Sequence, residues 1–350
     1  MDFFLGVPLL LLLSILRRRR KQPSPIRRIA LFVSAAIGDA ILASPLLRDL
    51  KSTYPDAELV LVHGASNRGL EPFLKDICQF VEIDVKNPFR AWAQMKALGH
   101  YDLWIDTGQW ARMPALLSWL APAAWTVGFQ APGQYRHFLY DVFVSHDSKV
   151  HELENFRKLL QPLGIKGTHF PRFEVDTLPH PQKIVVHMFA GGSRPAQKEL
   201  DFTQWVELIN GLTQGGFEVV LTGARVDRSK AERVRAACSD GNRIENVAGH
   251  FSLEDTARML KSAAWVISVN TGILHLAAAV GARVMGLHGP TSALRWGPVG
   301  RTSLRDSRHL ALQSSLPCSP CLNFGFDYGC PLNRCMQAFG TKELVKKVVP

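Results

Sequence analysis

The sequence predicts an α/β protein made of two Rossmann-like parallel-sheet domains facing a cleft. Three observations carry that prediction. Short runs rich in Val, Ile and Leu alternate with stretches whose apolar residues recur at helical spacing, the pattern of a parallel sheet covered by helices. The alternation is interrupted once, at the proline-bearing segment "PRFEVDTLPHPQ" (171–182). It then starts again at "KIVVHM". A length of 350 residues suits two domains better than one.

Taken in order, "IRRIALFV" reads as a strand and "GDAILASPLLRDLKSTYP" as a helix stopped by Pro55. "AELVLVH", "FVEIDV" and "YDLWIDT" read as further strands, and "HELENFRKLLQPLG" as a helix. Beyond the interruption, helix "FTQWVELINGLTQGG", strand "FEVVLTG" and helices "DRSKAERVRAAC" and "SLEDTARMLKSA" follow. Strand "AWVISVN" and a helix opening at Gly272 close the pattern. The expected division is 1–25, 26–175 and 176–350.

Hydrophobic residues make up 47% and charged residues 20%, the balance of a globular chain with full cores. The net charge of +11 is unevenly spread: residues 1–28 hold seven Lys/Arg against one acid, a surplus of six that leaves five for the rest. A basic character so localised argues against a nucleic-acid groove and for a local anionic contact. "FFLGVPLLLLLSIL" (3–16) is nearly pure apolar and is followed by "RRRRK" (17–21). It falls short of the about 20 residues of a spanning helix and lacks the charge order of a secretory signal. The expectation is a short membrane-associated helix, peripheral or monotopic, with its arginines on anionic headgroups on the cytoplasmic side.

Open α/β sheets bind ligands beyond the carboxyl ends of their strands, where helix N-termini present free N–H groups. Three corners have the chemistry for this. In "SAAIGDA" small residues allow close approach and Asp39 lies just inside a helix, where it is either a functional carboxylate or a helix cap. In "HMFAGGSRPAQK" the run Gly191-Gly192-Ser193 can form an anion-binding nest, with Lys198 in the same loop. In "VISVNTGILHL" a buried strand turns through Asn270-Thr271-Gly272 into a buried helix. No G-x-G-x-x-G or Walker lysine motif is present.

These segments carry a resemblance. "IGDAILASPLLRDLKSTYPDAELVLV", "HFSLEDTARMLKSAAWVISVNTGILHLAAAVGARVMGLHGPTSALRWGP" and the block "CSPC…CPLNRCM" are similar to the heptosyltransferases of glycosyltransferase family nine, which extend the lipopolysaccharide inner core from ADP-heptose. The likeness runs from residue 26 onward. It implies the GT-B architecture, with a nucleotide-sugar donor on the C-terminal domain and a lipid-linked saccharide acceptor on the N-terminal one. Residue by residue it implies Asp39 as catalytic base and Lys198 as the donor-phosphate lysine. It implies Thr271, Gly272 and His275 at the donor diphosphate, Asp227 near the ribose and Phe251 on the nucleobase. Asn270 stands where the family usually has Asp, which leaves open another nucleotide-sugar for capsule, O-antigen or glycolipid, or a non-catalytic binding protein. The resemblance implies inverting transfer without a metal, an account that the absence of an Asp-x-Asp motif suits.

Cys318, Cys321, Cys330 and Cys335 fall within 18 residues in metal-ligand-like spacing, and a structural zinc or iron is expected there, with reduced thiols as the alternative. His187 and His288 lie at strand ends as further candidates. Arg112 and Arg136 read as solvated loop arginines, with an anionic acceptor as their alternative partner. The tryptophans of 92–104 and 110–119 read as core or acceptor-side surface.

Overall fold

The computed structural model describes residues 4, 6–15, 19–34, 36–192, 194–322 and 332–349. Two units divide between His169 and Phe170. The N-terminal unit contains α1 (Val7–Ile15), β1 (Arg28–Val33), α2 (Ile37–Ala43), α3 (Pro45–Thr53), β2 (Glu58–His63), α4 (Glu71–Leu74) and β3 (Gln79–Glu82). It continues with α5 (Pro88–Ala97), β4 (Tyr101–Asp106), α6 (Arg112–Leu120), β5 (Ala123–Gln130), β6 (Val142–Ser145) and α7 (Glu152–Lys158). Its six strands are all parallel, in the order β3-β2-β1-β4-β5-β6.

The C-terminal unit repeats the plan. It holds β7 (His180–His187), α8 (Phe202–Gln214), β8 (Glu218–Thr222), α9 (Arg228–Ala237), β9 (Ile244–Asn246), α10 (Leu253–Ser262) and β10 (Ala263–Val269). Next come α11 (Gly272–Ala279), β11 (Val284–His288), α12 (Ala293–Trp296), β12 (Leu310–Gln313), α13 (Arg334–Gln337) and α14 (Thr341–Lys346). Its parallel order is β12-β11-β10-β7-β8-β9, the same winding read from the other edge. Each unit is therefore a Rossmann-like sheet, as the alternation predicts.

Parallel strands covered on both faces read as continuous apolar runs. Accordingly Ile29 to Val33 of β1 are all buried, and Ala30 and Phe32 pack with Val60, Val62 and Trp104 on one face. Ile184 and Val186 of β7 pack with Leu208, Val219 and Ile267 in the C-terminal unit. Local chemistry sets helix starts. Asn87 accepts from Arg90 N at 3.1 Å before Pro88 opens α5, and Ser252 Oγ accepts from Asp255 N at 3.1 Å before α10. The single helix expected over 38–55 is two, α2 and α3, joined through Ser44. Pro45 has no N–H to continue the ladder and fits the first position of a new helix instead.

No helix among the described residues is long and apolar enough to cross a membrane. Nine residues of α1 rise about 14 Å, less than half of a hydrocarbon core of about 30 Å. α1 also lies on the N-terminal unit: Leu10 is fully buried with Ala115, Leu139 and Tyr140. The chain behind it is tied down where Arg20 pairs with Asp141 at 2.9 Å.

Candidate active site

In both sheets the strand order reverses beside the first strand, between β1 and β4 and between β7 and β10. Crossovers leave such neighbours in opposite directions, and the opening between them is where open α/β sheets take ligands. Asp39, Lys198, Asn270, Thr271 and Gly272 follow the strands at these two places, whereas Asp227 follows β8 and Phe251 follows β9.

Asp39 follows β1, in the first turn of α2. The N-cap residue is Ala36, which makes no side-chain capping bond. From the adjacent strand, Gln109 Nε2 approaches Asp39 Oδ1 at 3.4 Å. The loop bearing Gln109 is fastened to the end of β1, because Thr107 N and Oγ1 both donate to the Phe32 carbonyl, at 3.1 and 2.9 Å. Beneath it Gly108 N donates to Asp106 Oδ1 at 2.7 Å. Asp106 Oδ2 accepts from Tyr140 OH at 2.6 Å, Ser118 Oγ at 2.9 Å and Arg136 Nη2 at 3.0 Å. Asp106 and Arg136 are both fully buried. Burial pushes the Tyr140 phenol well above its usual range, so it stays a donor. Gly128 is required here: a Cβ at that position would collide with the Tyr140 ring.

Arg112 and Arg136 thus differ from the solvated loop arginines expected of them. Arg112 is buried, and its guanidinium donates to the Gln134 and Gly133 carbonyls, each at 3.2 Å. Arg136 is consumed by Asp106. Arg112 thus ties the start of α6 to the loop at 133–134, and Arg136 ties its own segment to the end of β4. Of the tryptophans, Trp104 is core and donates to Ser118 Oγ at 3.0 Å, whereas Trp92 is 45% exposed.

In the C-terminal unit three corners emerge side by side, from β7, β8 and β10. Gly192, at φ +75°, and Arg194, at φ +46°, give the loop after β7 its left-handed turns, a conformation natural to glycine. Lys198 Nζ donates to the Gly191 carbonyl, and a Cβ on Gly192 would stand 3.9 Å from that ammonium. Burial depresses the Lys198 pKa against the attraction of Glu199, and burial raises that of Glu199. Glu199 accepts from Ala190 N at 2.8 Å and so holds the loop closed on itself. Ser193 lies outside the described residues.

Asp227, after β8, accepts from Ala224 N at 2.9 Å and lies close enough to Glu199 to oppose its ionisation. It is therefore brought to the Lys198 corner. The turn after β10 holds Asn270, Thr271 and Gly272 half-buried at the start of α11. Thr271 has extended backbone and makes no capping bond to the helix, and its Oγ1 is 3.4 Å from Ser268 Oγ. His275 is buried one turn in. His187 and His288 are buried at the ends of β7 and β11. Burial lowers the His187 pKa to about 4, so its ring is neutral. Phe251 is half exposed on a cavity of 240 Å³ that it shares with Val220, Val247, Met259, His180 and Lys183; neither Lys198 nor Thr271 lines that cavity.

Cys318 is exposed, Cys321 half-buried and Cys335 buried, while Cys330 lies outside the described residues. Among the described residues no three His, Cys, Asp or Glu side chains gather as a metal site.

Sequence reasoning missed Gln109, Glu199 and the Asp106–Arg136 pair. Gln109 had a signal, since it closes "YDLWIDTGQ" at the strand neighbouring β1. The buried pair yields a direct expectation. Asp106→Ala strands a buried guanidinium and should cost about 3–5 kcal/mol in chemical denaturation. Replacing Asp106 and Arg136 together by apolar residues should cost less than the single change. A loss under about 1 kcal/mol for Asp106→Ala would mean that water solvates Arg136 after all.

Comparison with known proteins places the chain in a family. The sequence model of glycosyltransferase family 9 (heptosyltransferase) matches residues 90–325. Lipopolysaccharide heptosyltransferase 3 of Escherichia coli K12 is 27% identical over 298 residues, 75% of this chain and 82% of that protein. Lipopolysaccharide heptosyltransferase 1 of Pseudomonas aeruginosa is 32% identical over 138 residues, 39% of this chain and 36% of that protein. The structure of E. coli heptosyltransferase WaaC with ADP-2-deoxy-2-fluoro heptose superposes with a TM-score of 0.67 at 21% identity, covering 91% of this chain and 99% of that one. The iron-containing dodecameric glycosyltransferase TibC from enterotoxigenic E. coli superposes at 0.58 with 15% identity, covering 93% of this chain and 75% of that one. At such identities the structural likeness speaks for the fold alone. The family match spans more than half of the chain, which is a glycosyltransferase and belongs to glycosyltransferase family 9.

Proposed function

We propose that the enzyme transfers a heptose from ADP-heptose to a lipid-linked saccharide of the lipopolysaccharide core, with inversion and without a catalytic metal. One observation carries the reading. A cationic, glycine-turned loop (Gly191, Gly192, Lys198) and an open helix start (Thr271-Gly272) end adjacent strands, β7 and β10, at the point where the strand order reverses. That is a site for a diphosphate. The relatives that match are lipopolysaccharide heptosyltransferases, and solved relatives hold ADP or an ADP-heptose analogue.

In this reading Asp39 takes the proton of the acceptor hydroxyl as it attacks the anomeric carbon. Gln109 orients the carboxylate. The bond from the anomeric carbon to the donor phosphate oxygen breaks, and negative charge builds on the leaving diphosphate. Lys198 and the N–H groups opening α11 stabilise that charge. The depressed pKa of Lys198 suits the role, because an arriving diphosphate opposes the depression and fixes the proton on the amine. Asp227 is assigned to the ribose and Phe251 to the base. Asn270 favours a second reading, a different nucleotide-sugar, since it removes a negative charge beside the donor site and adds a donor in its place. The enzyme works at the cytoplasmic face of the inner membrane, held there by residues 3–21.

The donor is tested by thermal shift with ADP-, UDP-, GDP- and CMP-sugars. The correct one should stabilise the fold by about 2.7 kcal/mol at a hundredfold excess over its Kd. ADP-heptose without effect beside a strong shift from another sugar would select the second reading.

Lys198 and Asp39 should fail differently. Lys198→Ala should weaken donor binding and slow transfer. Asp39→Asn should leave donor affinity nearly intact while single-turnover transfer falls by about a hundredfold to ten-thousandfold. Near-normal transfer by Asp39→Asn would remove the base.

The proposal also retains a structural zinc or iron on Cys318, Cys321, Cys330 and Cys335, on the strength of their spacing. Protein purified reduced and without chelators should carry about one equivalent per chain. Elemental analysis showing neither metal, with the four thiols titrating freely, would exclude it.

A further inference from the structure

The N-terminal unit carries an apolar surface that the reaction does not use. Phe89 and Trp92 stand three apart on α5 and face outward, 85% and 45% exposed, while Ala91 and Met95 fill the opposite, buried side. The outer face of α1 continues in the same character, with Leu12 60% and Ile15 80% exposed. A groove of 250 Å³ runs between the two helices and α6, lined by Leu13, Pro88, Trp92, Met113, Leu116 and Trp119 among others. Exposed apolar side chains scattered singly need no partner, but a contiguous patch drawn from three helices does.

Its margin is basic. The Lys96 ammonium stands 3.8 Å from the Trp92 ring centroid. Arg90 follows Phe89 and is 75% exposed on its side chain, with Asp84 a distant partner at 3.8 Å. Arg19 lies over Phe143, whose ring packs on the cluster that buries Leu10. Aromatic rings at the boundary of an apolar face, with Lys and Arg beside them, match the interfacial layer of a bilayer with anionic headgroups. A second copy of the chain would set two basic margins against each other, which is unfavourable.

We propose that the α1–α5–α6 face is a lipid-docking surface on which the enzyme rests against an anionic bilayer, with Phe89 and Trp92 entering the headgroup–acyl boundary beside α1. It deepens the membrane placement proposed above and rests on it. α1 is then one part of a preformed surface rather than an anchor on a tether.

Full-length protein is mixed with phosphatidylglycerol-containing vesicles, and with phosphatidylcholine vesicles for comparison. Partitioning is read by co-sedimentation, and circular dichroism melting shows that each variant is folded. The wild type should prefer the anionic vesicles, and F89S/W92S, with α1 intact, should partition about tenfold less or weaker still. L12S/I15S should fall similarly. If L12S/I15S loses binding while F89S/W92S keeps it, the α5 surface is overturned and the membrane placement by α1 survives. If wild type ignores anionic vesicles, both fall. A self-association abolished by F89S/W92S, without vesicle binding, would make the face a protein interface and overturn the proposal. None of these readouts depends on the donor or on transfer.

Discussion

Parallel strand pairing is the constraint from which the rest follows. A parallel neighbour can be reached only through a crossover, so within each sheet the strands end in turns at one edge, and most hand the chain to a helix. The chemistry has to collect there. Asp39 hangs from β1, Gln109 from β4, Lys198 from β7 and Thr271 from β10. These are the strands beside which each winding changes direction. The buried apolar runs of β1, β7 and β10 are therefore more than core: their register decides which side chains surface at the edge.

The two units treat charge in opposite ways at their equivalent edges. The N-terminal unit buries it as a pair, with Asp106 receiving Arg136 Nη2, Tyr140, Ser118 and the Gly108 amide, while Arg136 Nε and Nη1 stay buried without a hydrogen-bond partner among the described residues. The result is a fastened base for the loop that bears Gln109. In the C-terminal unit Lys198 donates to a carbonyl and feels the attraction of Glu199, a carboxylate that burial itself discourages from ionising. That leaves a cation with partners easily exchanged for a ligand's oxygens. The proposed reaction sets the two units two tasks, proton transfer at Asp39 and anion capture at Lys198.

The architecture was legible because it is periodic: alternating strands and helices, a proline-rich interruption and a restart sufficed for two Rossmann-like units. The strand-end positions of Asp39, Lys198 and the Thr271 corner were legible too, since such turns are local in sequence, whereas Asp227 was singled out only through the family resemblance. Arg136 was not. Its partner is thirty residues away, and nothing in "GQYRHF" reveals that the loop folds inward over Asp106. The division of 38–55 into two helices was written in Pro45 but masked by a strong apolar period on both sides of it. The outward stripe of Phe89 and Trp92 was hidden for a related reason: a helical period identifies two faces without saying which one the protein covers.

The Asp106 cluster also bears on how this protein can change over generations. Residues 106, 118, 128, 136 and 140 fill one another's space and valence: the carboxylate needs its donors, the guanidinium needs the carboxylate, and the phenol needs an absent side chain at Gly128. Energies within such a group do not add. A lineage that alters one member meets a deep fitness valley, whereas a simultaneous exchange of several can cross it. These five positions should thus drift as a block, either kept whole or replaced whole among descendants, while the exposed helix faces around them vary singly.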